Sequence, residues 1–333
     1  MTCWLTENRW DLWRPHSFLL GSLFGSRSRY TQAMNQNEGY MLERVYFNDP
    51  SGMIRDRILD QFVHMLQYTT LAPKKQQEII QLLSLISYKM LAIWTHDQRY
   101  DSMEKKRIAA AEANPQDRRL DKPIVFEHAQ DMYIELDEFL VQVKSTLDYL
   151  VKILHYTFGF GFDGQLHSFQ KNGMGIVNLL KRNTKQDERT KKAAHYLIKF
   201  IENEDRQAFL KGIIGARNAM NHFQDGGLSP MSFVVVSVID KEGKQTLYRP
   251  TFSDDKDNRA EIKTVMLGIQ GFIWEFVEHF LGLSLAHLMP DHGLHWLDHE
   301  DPHKGRWEVW PMSRFQELAD RGELPGAQDE RQL

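Results

Sequence analysis

Six consecutive residues, Arg217-Asn218-Ala219-Met220-Asn221-His222, set a permanent cation, an amide and a titratable base into about one and a half helical turns. Phosphodiester chemistry uses these groups. A guanidinium meets charge on phosphoryl oxygens, an imidazole gives or takes a proton near neutral pH, and an amide can orient either one. The segment Glu204 to Phe223 reads as the helix that carries them, with Glu204 and Asp205 in its first turn and Gly226-Gly227 beyond its end. On a wheel of about 100° per residue, Phe209, Ile213, Ala216 and Met220 make the apolar stripe, and Arg217 falls just inside its edge. An arginine there keeps its charge and needs a carboxylate, a carbonyl or a phosphate. A structural ion pair with Asp148 or Glu135 is one way to supply it. Asn218 and His222 are spaced i, i+4 and are neighbours on the helix surface. Arg217 and His222 point roughly 140° apart on an ideal helix, so meeting at one atom requires a helix end that turns or a second copy of the chain.

Helical periodicity dominates the elements that must position this hexad. Met53 to Thr95 holds two apolar runs separated by Pro73 and reads as a helix pair. Glu104 to Lys122, charged and interrupted by Asn114-Pro115, reads as a solvated, partly helical connection. Met132, Leu136, Leu140, Val143, Leu147, Leu150 and Leu154 form a sustained stripe that belongs in a core. A glycine-rich turn at 159–164 precedes shorter helices near 173–182 and 187–202, then the motif helix. Ser232 to Ile239 and Gln245 to Phe252, bracketing Asp240-Lys241-Glu242-Gly243, read as a β-hairpin. Ile262, Met266, Ile269, Ile273, Phe276 and Phe280 mark one more long helix.

The hexad and its setting resemble the HEPN family, all-α domains whose motif is arginine, a polar residue, three variable positions and histidine. Here the match is Arg217, Asn218, the intervening Ala219-Met220-Asn221, and His222; Leu136 to Leu150 is similar to an early helix of that family. Where some members carry a tyrosine two residues after the histidine, this chain has Gln224. The resemblance spans roughly residues 126 to 290. It implies an antiparallel helical bundle, mainly α, with a β-hairpin insertion and an additional N-terminal helical region. It also implies a metal-independent endoribonuclease that cleaves RNA by attack of the 2′-hydroxyl on the adjacent phosphate, toxin-like or defence-related. In that reaction His222 is the general acid or base, Arg217 stabilises the phosphoryl charge, and Asn218 positions one or the other. No cofactor is called for, since the nucleophile is the substrate's own hydroxyl. The partners implied are RNA, a second copy of the chain in a homodimer with a composite site, and a regulatory or antitoxin protein. The alternative is a catalytically silent RNA-binding or dimerisation module of the same family, in which Arg217 is locked into a carboxylate pair.

Composition limits the rivals. With 333 residues, 42% hydrophobic and 26% charged, the chain has the make-up of an ordinary soluble globular protein. One cysteine, Cys3, excludes an internal disulfide framework and fits a reducing cytoplasm. The longest apolar run, Val265 to Met289, contains Glu275, Glu278 and His279 and reads as a core helix rather than a membrane span. A net charge of −4 rules out an overall basic coat, so RNA contact must be local. Lys181, Arg182, Lys185, Arg189, Lys191 and Lys192, opposed by Asp187 and Glu188, supply the RNA-binding strip; a solvated loop and helix face is the plain alternative. Near the C-terminus His292, His295 and His299 follow i, i+3, i+7 and would share a face for zinc on a helix. Pro290, Gly293 and Pro302 break that regularity, so no metal is assigned. The division expected is an irregular extension at 1–40, a helical region at 41–125, the HEPN-like domain at 126–290 with its hairpin at 232–252, and a His-rich, charged tail at 291–333.

Overall fold

Pro73 can open a helix, because a first-turn residue needs no N–H partner, and from it a stripe spaced alternately by three and four runs through Leu83, Ile86, Met90, Ile93, Asp97, Tyr100 and Glu104. All seven are buried. The helix they make, Pro73–Ala113, therefore continues well past the point where charge density suggests a solvated connection. The solvated, partly helical connection expected at 104–122 is helical as far as residue 113 and mostly exposed after Glu104; the correction is Glu104 itself, which takes a core position.

The computed structural model describes residues 54–113, 124–125, 129–160, 168–182, 187–221, 234–239, 245–253, 259–297 and 306–321. In chain order the elements are a π-helical turn Arg55–Asp60, α1 Gln61–Leu66, α2 Pro73–Ala113, β1 Ile124–Val125, α3 Ala129–Thr157, α4 Met174–Arg182, α5 Glu188–Glu202, α6 Glu204–Asn221, β2 Val234–Ile239, β3 Gln245–Tyr248, β4 Thr251–Ser253, β5 Arg259–Glu261, α7 Ile262–Ala286, β6 His292–Leu297, β7 Arg306–Pro311 and α8 Met312–Asp320. The protein is mainly α. The strands form three small antiparallel sheets, β1-β2-β3, β4-β5 and β6-β7. The hairpin expected at 232–252 is β2 and β3, with Val236 opposite Tyr248 and Ile239 opposite Gln245, but its second strand stops at Tyr248; Thr251 and Phe252 belong to β4 and pair with β5.

The described residues fall into two compact units, one of 92–141 and 215–273, the other of 54–91, 142–214 and 274–321. The boundary lies within α2, α3, α6 and α7.

The larger unit is built around aromatic rings. Phe276 of α7 lies 5.2 Å from Phe200 of α5 and 5.9 Å from both Phe169 and Phe280. Leu83, Leu147, Val177, Leu197 and Leu210 bring α2, α3, α4, α5 and α6 to the same interior. Helix ends are finished with side chains: the Asp187 carboxylate accepts the N–H groups of Arg189 and Thr190 and caps α5, and Asn203 accepts the N–H of Arg206 and caps α6. Gly173, at φ +86°, sits where a Cβ would come within 2.8 Å of the Phe169 ring and 2.9 Å of Ile201.

Within the stretch expected as a His-rich, charged tail at 291–333, His292–Leu297 and Arg306–Pro311 pair as β6 and β7, and Met312–Asp320 is α8. Trp296 and Trp307 face each other across the hairpin at 5.1 Å, and His279 of α7 lies 4.8 Å from Trp296. Gly282 lets α7 come close to the hairpin, since a Cβ there would meet the Trp307 ring at 2.8 Å.

The smaller unit contains the C-terminal part of α2, the start of α3, the end of α6, the start of α7 and the sheets β1-β2-β3 and β4-β5. Met132, Leu136, Phe139 and Leu140 of α3 are buried there, as are Ile262, Met266, Ile269 and Ile273 of α7. The N–H of Ile262 reaches the Pro250 carbonyl at 2.9 Å, tying the start of α7 to the end of the β2-β3 hairpin. Among the described residues one helical stretch, Pro73–Ala110, has the length and mean hydropathy of a membrane span; the buried stripe above runs along it.

Candidate functional site

The motif falls where the sequence puts it along the chain: α6 ends at Asn221, so Arg217 and the backbone of Asn218 occupy its final turns. His222 lies outside the described residues. Arg217 is half-buried, and its Nε is closed off from water without a hydrogen-bond partner. Neither carboxylate that sequence offered as a structural partner is idle. Glu135 receives His96 Nδ1 at 2.6 Å and has Arg99 at 4.0 Å. Asp148 is paired with Lys144 and also accepts the N–H of Phe169 at 2.6 Å.

Asp137, on α3 in the same unit, is an acid on which the Arg217 charge acts. Burial raises its carboxyl above the ordinary range, Glu138 beside it adds to the rise, and the Arg217 charge opposes both. Asp137 Oδ1 is itself buried and without a hydrogen bond. The site thus holds one unsatisfied donor and one unsatisfied acceptor of opposite charge. Each such group costs about 1–3 kcal/mol when left out of water unpaired.

A second polar group in this unit sits on α2. Asp97 and Lys263, the second residue of α7, form a buried ion pair at 2.6 Å. Burial pushes the Asp97 carboxyl up while Lys263 pulls it down. Seven residues on from Asp97, Glu104 is 1% exposed and its Oε1 has no hydrogen-bond partner. Burial pushes its carboxyl up to about 7, against the pull of Arg249 and Lys263, with Glu261 and Asp101 adding to the rise. The hydroxyl of Tyr100, one turn before it, is also buried and unpartnered. Perturbed, unsatisfied groups of this kind concentrate at functional sites. The signal for Glu104 was present in the sequence as the three-four spacing running on through Asp97 and Tyr100; Asp137, outside any stripe, carried none.

The basic residues 181–192 belong to the other unit. Lys181 at the end of α4 pairs with Glu202 at 2.6 Å, and Lys191 pairs with Glu188 at 2.7 Å; both lysines are exposed. Arg182 and Lys192 are exposed, and Lys185 lies outside the described residues. Arg189 is half-buried and engaged elsewhere: its Nη2 donates to the carbonyls of Ala286, Met289 and His292, closing the C-terminal end of α7. Five donors in a planar fork suit that task, and they leave Arg189 less available for phosphate than its place in the sequence implied.

The histidines near the C-terminus do not share a helical face. His292 and His295 stand on β6, three residues apart, so they point to opposite faces. His292 lies 4.7 Å from the Tyr68 ring and His295 stacks on Trp310 at 4.0 Å. His299 is outside the described residues, and among the described residues no group of three or more His, Cys, Asp or Glu is placed to hold a metal ion.

No protein-family model, curated protein or solved structure matches the chain.

Proposed function

We propose that the protein is a metal-independent endoribonuclease of HEPN type, cutting RNA at a composite Arg217/His222 site shared by two copies of the chain. The observation that carries this reading is Arg217 itself: a half-buried guanidinium at the end of a helix, with a buried Nε that no hydrogen bond satisfies. A structural arginine would be expected to look like Arg189, forked onto carbonyls, or like Arg57, forked onto the buried Glu278. Arg217 keeps a donor in reserve, as a group that must donate to a phosphoryl oxygen does.

The chemistry follows from the residue types. The 2′-hydroxyl of RNA attacks its neighbouring phosphorus, the 5′-oxygen departs, and a 2′,3′-cyclic phosphate forms. His222 moves the proton this requires, a role that typically contributes about 10²- to 10⁴-fold. Arg217 meets the charge that grows on the non-bridging oxygens. Asn218, one residue on, is suited to holding the imidazole or an oxygen. Because Arg217 and His222 would point apart on an ideal helix, the second copy supplies the missing partner. Arg182 and Lys192, exposed in the other unit, are suited to the RNA backbone, with Lys181 and Lys191 able to exchange their acidic neighbours for phosphate.

The coupling of Arg217 to Asp137 favours the second reading, a silent RNA-binding or dimerisation module, to the extent that the two groups neutralise each other. The test separating the readings is cleavage of mixed-sequence RNA in EDTA by the full chain, with Arg217→Ala and His222→Ala compared after circular dichroism shows all three folded. Cutting by the wild type that drops at least 100-fold in both variants supports the nuclease. No cutting by a folded dimer that still binds RNA supports the silent module.

A further inference from the structure

Helix α5 has two distinct sides. Ala193, Ala194, Leu197, Phe200 and Ile201, spaced by ones, threes and fours, are buried. Lys192, His195, Tyr196 and Lys199 are all exposed, and at about 100° per residue they fall within a sector of roughly 100° on the other side. Two acids share that side, and each is already engaged: Glu188 by Lys191 at 2.7 Å, and Glu202 by Lys181 at 2.6 Å. Among the described residues Lys192 and Lys199 form no salt bridge, so this face is locally positive although the whole chain carries −4. Glu204 and Asp205, in the first turn of α6, mark its acidic limit.

Tyr196 is the unusual member, with half of its surface exposed. One exposed ring needs no explanation by itself. Its surroundings, however, differ from those of other tyrosines in the same unit. Lys89 stands over the Tyr88 ring at 5.8 Å, and Lys152 over the Tyr149 ring at 4.6 Å. Lysines at i−4 and i+3 give Tyr196 the same opportunity twice, yet among the described residues no cation covers its ring. The ring near it is that of His195, edge-on at 6.1 Å.

A ligand that fits carries repeated negative charge with a flat apolar face between the charges. Lys192 and Lys199 are separated by about 10 Å along the helix axis, a span over which two lysines can meet neighbouring phosphates of one strand. The open ring between them is suited to the face of a base. In a duplex those faces are stacked on one another, so only an unpaired strand offers both features. An acidic peptide satisfies the lysines alone, and the same face of a second copy brings like charge against like.

We infer that the outer face of α5 is a platform for single-stranded RNA, with Tyr196 stacking on a base and Lys192 and Lys199 holding phosphates on either side. The inference rests on RNA being the ligand, as in the ribonuclease reading, and adds that the RNA is unpaired. It also extends the basic strip at 181–192 to Lys199 and supplies the aromatic ring that the strip lacks.

The test is binding of a fluorescent single-stranded RNA, and of the same RNA annealed to its complement, to the full chain carrying His222→Ala. EDTA is present and salt is varied. Tyr196→Ala, Tyr196→Phe and the double change Lys192→Ala, Lys199→Ala are added in turn, each checked for folding by circular dichroism, and cleavage is followed in parallel with His222 intact. The expected result is a single strand preferred over the duplex by about tenfold or more. Tyr196→Ala weakens single-strand binding by about 5- to 100-fold and leaves duplex binding unchanged, whereas Tyr196→Phe, which keeps the ring, binds like its parent. The double lysine variant weakens both and lowers the single-strand slope of log K against log salt by about 1.4. Single-strand binding unchanged in Tyr196→Ala, or a dimer that falls apart in that variant while RNA binding holds, overturns the inference. Cutting that still depends on Arg217 and His222 then leaves the ribonuclease reading standing. RNA held through Tyr196 by a folded chain that cuts nothing supports the platform and overturns the ribonuclease reading instead.

Discussion

Two buried glutamates, one in each unit, show how differently the same side chain is treated. Glu278 in α7 is fully buried and surrounded by donors: Arg57 forks onto both of its oxygens, and Gln61 reaches Oε1 at 3.4 Å while accepting the N–H of Trp307 at 3.0 Å. Glu104 in α2 is as deeply buried, with an oxygen that meets no donor. Burial raises both carboxyls, but donors at hydrogen-bond distance oppose the rise at Glu278, whereas only more distant cations oppose it at Glu104. A buried acid with all its lone pairs satisfied locks the elements around it. One left open adds a cost to folding and stands ready to take a proton or a ligand. The contrast extends to the arginines, with Arg57 and Arg189 satisfied in the larger unit and Arg217 keeping an open donor in the smaller one.

The comparison breaks most visibly at the satisfied acid. Glu278→Ala strips Arg57 and Gln61 of their shared acceptor, and urea melts should show a loss of about 3–5 kcal/mol. Gly282→Ala comes next: the added methyl drives into the Trp307 ring and lowers stability by about 1–3 kcal/mol, with the change visible in Trp fluorescence.

At Glu104 the sign reverses. Its folded pKa, about 7, lies above that of an unfolded glutamate, near 4.5, so its contribution is fully present below the lower value and is lost as pH rises through the upper one. Asp101, Glu261, Arg249 and Lys263 are the charges facing it, together with the Tyr100 hydroxyl. The melting temperature should therefore fall by several degrees between pH 5 and pH 8. Glu104→Gln should remove most of that slope and melt higher than the wild type at pH 8; an unchanged slope would place the titration elsewhere. The smallest effect belongs to the exposed pair Lys181–Glu202, where Lys181→Ala should shift stability by less than about 0.5 kcal/mol while weakening RNA binding at low salt more than at high salt.

Periodicity made most helices readable from sequence alone. The stripe from Met132 to Leu154 is a stripe in α3, and the segments near 173–182 and 187–202 are α4 and α5. The hairpin announced itself by the Val-rich run from Val234 to Val238 and by the sequence Asp240-Lys241-Glu242-Gly243 ahead of Gln245. The reading failed where charge and position conflicted. Glu104 looked solvated because glutamate seldom lies in a core, yet its place in a three-four spacing outweighs its type once the helix continues through it. His292 and His295 looked like helical neighbours because spacing alone does not distinguish a helix from a strand that pairs with a distant segment. It is pairing with Arg306–Pro311 that sends them to opposite faces. Arg189 looked like one cation among six, and only the fold brings to it the carbonyls of Ala286, Met289 and His292, at and beyond the end of α7.

By itself the sequence determined what depends on neighbours along the chain: which stretches are helical, where the motif helix begins, and that Arg217, with a fixed charge and a place at the edge of an apolar stripe, needs a partner. Tertiary structure alone decided which partners are spent and which remain open. Glu135 went to His96, Asp148 to the N–H of Phe169 and Arg189 to three carbonyls, while Asp137 and Glu104 kept an unsatisfied oxygen. The reason is physical: a backbone conformation is set within a few residues, whereas the desolvation and pairing of a charge depend on groups dozens to hundreds of positions away that only the folded chain brings within reach.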